Sequence, residues 1–307
     1  MKAIVTHGYG GPETLELAEQ PEPKVGPDAV LVRVKAAGVN PVDWKIVGGH
    51  LDPLLEVHFP LIPGWDVAGV VEQVGLDVHE FAVGDEVIGY VRKDEVQHGT
   101  YAERVAAPVR TLARKPAALS WQQAAGLPLA GLTALQALRR ARVGRGDTVL
   151  VHAAAGGVGS HAVQIAVAWG ARVIGTASER NHPYLRSLGA EPVTYGAGLP
   201  DQVRAVAPEG VDAAVDFAGE GAVEASVRLV RNPARVVSAV DLGVTAAGGS
   251  YLFVRPDPGD LAELARLADA GKLTVTLDRT LPLAEAAEAF RHSMSGRARG
   301  KIVLEVS

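Results

Sequence analysis

The sequence predicts an α/β protein in two parts, a β-rich domain and a doubly wound parallel sheet. The first third carries short β-branched runs punctuated by Gly and Pro, the texture of a small mixed β-domain that is closed or nearly so. The middle alternates helical and strand patterns, as a parallel sheet with crossover helices requires. Between these patterns, at Ala153 to Gly159, a turn of small residues joins a β-branched run to a helical one. At 307 residues the chain is long for one core, so two domains are expected.

In chain order, strands are expected at 2–6, 29–37, 69–74 and 85–90, with turns at Gly10-Gly-Pro12, Gly26-Pro27 and Val83-Gly-Asp85. Two more, at 101–105 and 111–114, complete the β-rich part. Ser120 is placed as a helix N-cap leading into a helix at 127–138, with the domain boundary near Trp121. Strand 148–151, a helix running to about Trp169, a C-capping Gly170 and strand 172–176 follow. Helix 183–188, strands 192–194 and 211–217, helix 222–229 and strand 234–239 continue the alternation. Helix 261–270 is ended by Gly271, and strand 273–277, helix 283–294 and strand 301–306 return to the β-rich texture.

Bulk composition excludes several functions. Apolar residues make up 48% and charged ones 21%, ordinary for a globular protein, and a net charge of −5 offers no basic footprint for nucleic acid. The absence of cysteine excludes disulfides, thiolate metal sites and a cysteine nucleophile, and it is compatible with the cytoplasm. The first residues lack the apolar core of a signal peptide, and no apolar run is expected to span a membrane. The nine histidines show no ligand spacing, so no metal is assigned.

The central motif is Ala154-x-Gly156-x-x-Gly159, a dinucleotide fingerprint with its first glycine replaced by alanine. Such a turn needs a tight bend, a backbone open to a pyrophosphate and a helix start packed on the strand; the free N–H groups there favour an anion. Because a strand precedes the turn and a helix and strand follow, nucleotide binding is favoured over plain turn chemistry.

Several segments together resemble the zinc-independent branch of the medium-chain dehydrogenase/reductase family, the zeta-crystallin-like NADPH:quinone oxidoreductases. They are Met1-Lys-Ala-Ile-Val, Gly38-Val-Asn-Pro-Val-Asp-Trp-Lys45, Ile62-Pro-Gly-Trp-Asp-Val-Ala-Gly-Val-Val-Glu72, Val83-Gly-Asp-Glu-Val-Ile-Gly89, Gly99-Thr-Tyr-Ala-Glu103, the glycine turn and Arg299-Gly-Lys-Ile-Val303, in family order. The resemblance implies a GroES-like catalytic domain, 1–122 with 271–307, and a Rossmann NADP-binding domain, 123–270, with the active site in a cleft between them. It also implies a homodimer. Zinc-dependent members carry a Cys near Val39 and a His–Glu pair near Trp65 and Asp66; neither is present here, so zinc-assisted alcohol oxidation is not expected.

By the same resemblance Asn40 and Asp43 line the substrate site, or else simply cap a turn after Gly38. Thr133 matches a threonine facing the nicotinamide, or bonds back to its own helix. Trp65 walls the substrate pocket or fills the small domain's core. Ala154, Gly156, Gly157, Val158 and Gly159 form the phosphate turn. Ala177 stands where an NAD enzyme places a carboxylate, and Ser178, Arg180 and Asn181 suit a 2′-phosphate instead, which favours NADP(H). Tyr195 matches a tyrosine covering the adenosine phosphate end. Ala218 and Ala239 follow Rossmann strands, where ligands collect. Tyr251 and Phe253 contact the nicotinamide end, or form an edge strand between subunits, or both, and Lys301, beside Gly300, approaches the cofactor or is part of an exposed basic pair with Arg299.

The expected reaction is hydride transfer from NADPH to a quinone or other electron-poor carbonyl, with no nucleic acid or membrane partner. A 2-alkenal or enone reductase, and a cofactor-binding redox sensor with little turnover, are the alternatives. No dedicated acid is required; Tyr90 and Tyr101 are the phenols considered for that role.

Overall fold

The structure is a computed structural model and describes residues 1–306. Two compact units emerge among the described residues, 1–129 with the segment from 255 onward, and 130–254. The sequence reading put the boundaries at 122/123 and 270/271. The later start of the second unit follows from the helix at 121–125, which packs on the strands at 29–39 and 66–74, and its earlier end from the helix at 258–269, described below.

The first unit begins with β1 (Lys2–Val5), β2 (Glu16–Glu19), β3 (Ala29–Val39), α1 (Pro41–Val47), β4 (Glu56–Ile62), β5 (Asp66–Val74), β6 (Glu86–Tyr90), β7 (Glu95–His98), β8 (Arg104–Pro108), β9 (Leu112–Arg114) and α2 (Trp121–Ala125). The chain then forms α3 (Pro128–Arg140), β10 (Thr148–Val151), α4 (Gly157–Ala168), β11 (Arg172–Thr176), α5 (His182–Ser187), β12 (Ala190–Val193), α6 (Leu199–Val206), β13 (Ala213–Asp216), α7 (Ala222–Val227), β14 (Val236–Ser238) and β15 (Ser250–Tyr251). It ends with α8 (Pro258–Asp269), β16 (Leu277–Pro282), α9 (Ala286–Met294) and β17 (Lys301–Glu305).

In the first unit the order β16-β17-β3-β5-β6-β9 makes a seven-stranded sheet with β8 also on β3. The long β3 is buried along most of its length because strands or helices cover both its faces. The C-terminal β17 pairs antiparallel with β3, Ile302 opposite Val39 and Leu304 opposite Ala37, so the chain does return to this unit. Helix α8 is capped by Asp257, whose side chain accepts from the Asp260 amide, and its final Asp269 accepts from the Ala118 amide. That tie places α8 in the first unit.

Residues 273–276 do not form the expected strand. Their alternation reports burial instead: Leu273 and Val275 are buried while the Thr276 carbonyl accepts from the Lys301 amide, and ladder pairing with β17 starts at Leu277. Helix α1 was not foreseen; a heptapeptide opened by Asn40 and Pro41 is too short to show a helical period.

The second unit is a six-stranded, wholly parallel sheet in the order β12-β11-β10-β13-β14-β15. Apolar strands suit burial on both faces, and Leu150, Ile174, Ala214 and Val236 join Val203 and Val223 from the helices in one core. The order reverses between β10 and β13, the switch point where ligands bind in such sheets. Edge strand β15 contains Tyr251, whereas Phe253 lies beyond it.

Gly159 sets the packing of α4 on β10, since a Cβ there would lie 2.2 Å from the Ala153 carbonyl oxygen and 2.7 Å from the Ala154 Cα. Gly159→Ala is expected to lose roughly 1–3 kcal/mol through overpacking. Calorimetry should read this as a thermal midpoint several degrees lower, and an unchanged midpoint would mean that the helix moves aside freely.

Candidate active site

In the first unit the corner between β3 and α1 is built around buried polar groups. Val39 ends the strand and Pro41 starts the helix, which leaves Asn40 as N-cap, 2% exposed. Its carboxamide bridges two charges: Nδ2 donates to Asp66 Oδ2 at 2.9 Å, and Oδ1 accepts from Lys301 Nζ at 2.5 Å. Only this amide orientation satisfies both partners. Lys301 also donates to the Val39 carbonyl at 3.1 Å and stands 3.9 Å from Asp66 Oδ2. The other Asp66 oxygen accepts from the Leu129 amide at 2.8 Å.

Asp43, on the first turn of α1, accepts at Oδ2 from the Asn40 amide and from the Tyr101 hydroxyl, each at 2.8 Å. Its Oδ1 is buried with no hydrogen-bond partner. Burial pushes the Asp43 carboxyl up to about 7 and that of Asp66 up to about 6, because desolvation outweighs the donors that each accepts from. Burial lowers Lys301, against the pull of Asp66 and Asp43, and raises Tyr101 well above the usual phenol range, with Asp43 adding to the effect.

Asp43 also lines a small recess of about 10 Å³, room for one water molecule, with Ile46, Pro63 and Trp65 as its apolar wall and Lys93 and His98 as basic groups. Trp65 is buried and meets Tyr90 edge-on at 5.8 Å. Burial, then Arg110, lowers Lys93; burial, then Lys93, lowers His98.

The structure therefore brings together Asn40, Asp43 and Lys301, with Trp65 on the same recess as Asp43. Lys301, the residue expected to approach the cofactor, has its ammonium engaged by Asn40, Val39 and Asp66. Sequence reasoning missed Asp66 as the partner of Lys301 and the hydrogen bond from Tyr101 to Asp43. The Asp in Gly64-Trp65-Asp66, at the head of a strand, was the available signal. Thr133 is buried in α3 of the second unit.

The glycine turn of the second unit was tested for fit to a dinucleotide. Ala153 adopts φ +50°, with its amide and that of Ala154 bonded to the Thr176 hydroxyl and carbonyl. Helix geometry leaves the amides of Gly157, Val158 and Gly159 without carbonyl acceptors in their own helix. A Cβ on Gly156 would meet only the Ala153 carbonyl oxygen, at 3.3 Å, so the backbone there is bare toward solvent. These features fit a pyrophosphate.

Past β11, Ser178 precedes a 3₁₀ turn, Glu179–Asn181, and accepts at Oγ from Asn181 Nδ2 at 3.3 Å. Arg180 is exposed. Tyr195 is 63% exposed in the loop after β12. After β13, Asp216 Oδ1 accepts from the Ala218 and Gly219 amides at 2.8 and 3.0 Å, and its carbonyl accepts from the Ala239 amide at 3.0 Å. The Tyr251 carbonyl accepts from Arg140. His152, after β10, pairs with the Ser226 hydroxyl at 2.8 Å, and burial pushes it down to about 4, so it is a neutral tie between β10 and α7. Among the described residues no group of three or more His, Cys, Asp or Glu could hold a metal, and no helix is long and apolar enough to cross a membrane.

Two family models match, an alcohol dehydrogenase GroES-like domain at residues 26–117 and a zinc-binding dehydrogenase at 188–304. A chloroplast envelope quinone oxidoreductase homolog of Arabidopsis thaliana is 32% identical over 99% of this chain and 98% of its own. A chloroplastic NADPH-dependent alkenal/one oxidoreductase of the same plant is 35% identical over 99% of this chain and 79% of its own. Among solved structures, the quinone oxidoreductase of Coxiella burnetii superposes with a TM-score of 0.89 at 35% identity, covering 100% of this chain and 99% of that one. With a GroES-like unit, a Rossmann sheet and full-length likeness to such proteins, the chain is an oxidoreductase that belongs to the medium-chain dehydrogenase/reductase family, among its quinone oxidoreductases.

Proposed function

We propose that this protein transfers hydride from NADPH to a quinone or an α,β-unsaturated carbonyl without zinc. The observation that carries the reading is the bare backbone at Gly156, at the start of α4 and at the switch point of the parallel sheet. When bound there, NADPH supplies the hydride. Gly156, Gly157, Val158 and Gly159 would hold its pyrophosphate, with Ala154 keeping the turn close to the strand. Ser178, Arg180 and Asn181 would take the 2′-phosphate and Tyr195 the adenosine end. Ala218, Ala239, Tyr251 and Phe253 would meet the nicotinamide half, with Thr133 facing the ring.

In the first unit, Trp65 and Ile46 would exclude water from the acceptor, while Asn40, fixed between Lys301 and Asp66, would orient it. Zinc is poorly served here: the Val39 side chain has no lone pair to offer, the Trp65 indole only donates, and Asp66 already accepts from Asn40 and Leu129 and pairs with the Lys301 ammonium. We further propose a homodimer in the cytoplasm, since a chain without cysteine suits a reducing compartment.

The purified protein should oxidise NADPH faster than NADH when offered benzoquinone, phenanthrenequinone or a simple 2-alkenal, and the better acceptor assigns quinone or enone reduction. No oxidation with any of them despite NADPH binding would replace the reductase with a sensor. Arg180→Ala is expected to weaken NADPH roughly 10–100-fold, the worth of a charge-assisted contact, and to leave NADH nearly unchanged in fluorescence titration. Equal weakening of both would remove the 2′-phosphate assignment. Gly156→Val, whose Cβ would lie 3.3 Å from the Ala153 carbonyl oxygen, should abolish NADPH binding while circular dichroism keeps the wild-type spectrum and the thermal midpoint falls by no more than a few degrees. Undiminished binding would take the turn out of the cofactor site.

A further inference from the structure

Two buried side chains tie together the loops that leave β13 and β14 at the C-terminal edge of the parallel sheet. Asp216, the last residue of β13, stands opposite Ser238, the last of β14, and both are fully buried. Asp216 Oδ1 accepts from the Ala218 and Gly219 amides at 2.8 and 3.0 Å, and its Oδ2 accepts from the Ser238 hydroxyl at 2.7 Å. Ser238 Oγ accepts in turn from the Val240 and Asp241 amides at 3.2 and 2.9 Å. With an amide on each lone pair, the hydroxyl has one direction left for its proton, toward Asp216 Oδ2.

These bonds also decide where carbonyls point. A trans peptide is planar, with its C=O directed opposite to its N–H. Turning the amides of residues 218, 219, 240 and 241 inward therefore turns the carbonyls of Phe217, Ala218, Ala239 and Val240 outward. None of the four accepts from a donor among the described residues. Gly219, Glu220 and Gly221 have φ of +74°, +51° and +83°, a left-handed run that the Asp216 acceptor keeps in place. A Cβ on Gly219 would lie 3.7 Å from Val240, so the two loops run side by side. The Ser238 carbonyl accepts from the Leu252 amide, which extends the tie to the end of β15.

We propose that Asp216 and Ser238 are positioning residues for the cofactor, locking the loops after β13 and β14 into one unit whose outward carbonyls receive the nicotinamide half. This role rests on the NADPH reading of the second unit. The nicotinamide carboxamide carries an NH2 group, the kind of donor that unpaired carbonyls suit. Neither side chain touches the cofactor. The pair acts by fixing the peptide planes before the cofactor arrives, which lowers the ordering cost of binding. The adenosine end is assigned to the loops after β11 and β12, so it is indifferent to the pair.

The test separates the two ends of the cofactor. NADPH and 2′-phospho-ADP-ribose, which lacks the nicotinamide, are titrated by calorimetry against the wild type, Ser238→Ala and Asp216→Asn. Ser238→Ala deletes the link, whereas Asp216→Asn keeps the shape and one acceptor but turns a donor toward Ser238. Each variant is expected to weaken NADPH about 10-fold, the worth of a lost buried hydrogen bond, and to leave 2′-phospho-ADP-ribose within about twofold. A merely structural role would move both alike. Hydrogen exchange in the unliganded protein should be slow at the amides of residues 218, 219, 240 and 241. In Ser238→Ala it should quicken at both pairs, because one hydroxyl ties both loops; the wild-type measurement stands without either variant. Unchanged NADPH affinity in the variants, equal weakening of NADPH and the fragment, fast wild-type exchange at the four amides, or quickening confined to 240 and 241 overturns the assignment while the NADPH reading stands. Failure of the wild type to bind NADPH overturns both.

Discussion

The ammonium of Lys301 is the constraint on which the first unit depends. It arrives on β17, far along the chain, and is bound by a strand end, a helix cap and a strand start that lie within residues 39–66. Placing it in the interior carries a desolvation penalty of several kcal/mol. That penalty is offset only because Asn40, Val39 and Asp66 all converge on it. The same arrangement fixes the Asn40 carboxamide in one orientation and leaves Asp43 without a cation of its own. Fold closure and the electrostatic character of the recess therefore have a single origin.

In the second unit the glycine turn divides two demands between two residues. Gly159 is required by packing, since the helix start lies against the Ala153 carbonyl; Gly156 is required by access, since a Cβ there would meet only the Ala153 carbonyl oxygen, at 3.3 Å, and its other side is bare. Ala153 meets a third demand at some expense. A left-handed alanine costs roughly 1–2 kcal/mol, and the Thr176 hydroxyl and carbonyl hold the turn in that shape.

Much of the fold was legible in the sequence because its signals are local or periodic. The apolar strands of the parallel sheet, the Ser120 cap, Gly170 at a helix end and the spacing from Ala154 to Gly159 all report their own surroundings within a few residues. The site was less legible because its contacts are distant in sequence. Asn40 and Lys301 are separated by 261 positions, and no periodicity links them. Lys301 reads as a basic residue near the C-terminal strand, and the carboxylate beside it, on another strand, leaves no local signal. Helix α1 and strand β2 were too short to announce themselves, and the alternation at 273–276 described burial without pairing. The roles of Ser178, Arg180, Asn181 and Tyr195 came from resemblance, because exposed side chains carry no packing signature.

The pairing of β17 with β3 also sets a timetable for the newborn chain. The second unit has all six of its strands once residue 251 has left the ribosome, and its contacts are drawn from one continuous segment. The first unit, although it is begun earlier, must wait for residues 301–305, with the flank of β3 and the polar corner at Asn40 open in the meantime. Synthesis at roughly 5–20 residues per second makes that a delay of seconds. During it the middle of the chain is folded and the beginning is exposed to chaperones and proteases, an inversion of the usual order in which the N-terminal domain is the first to mature.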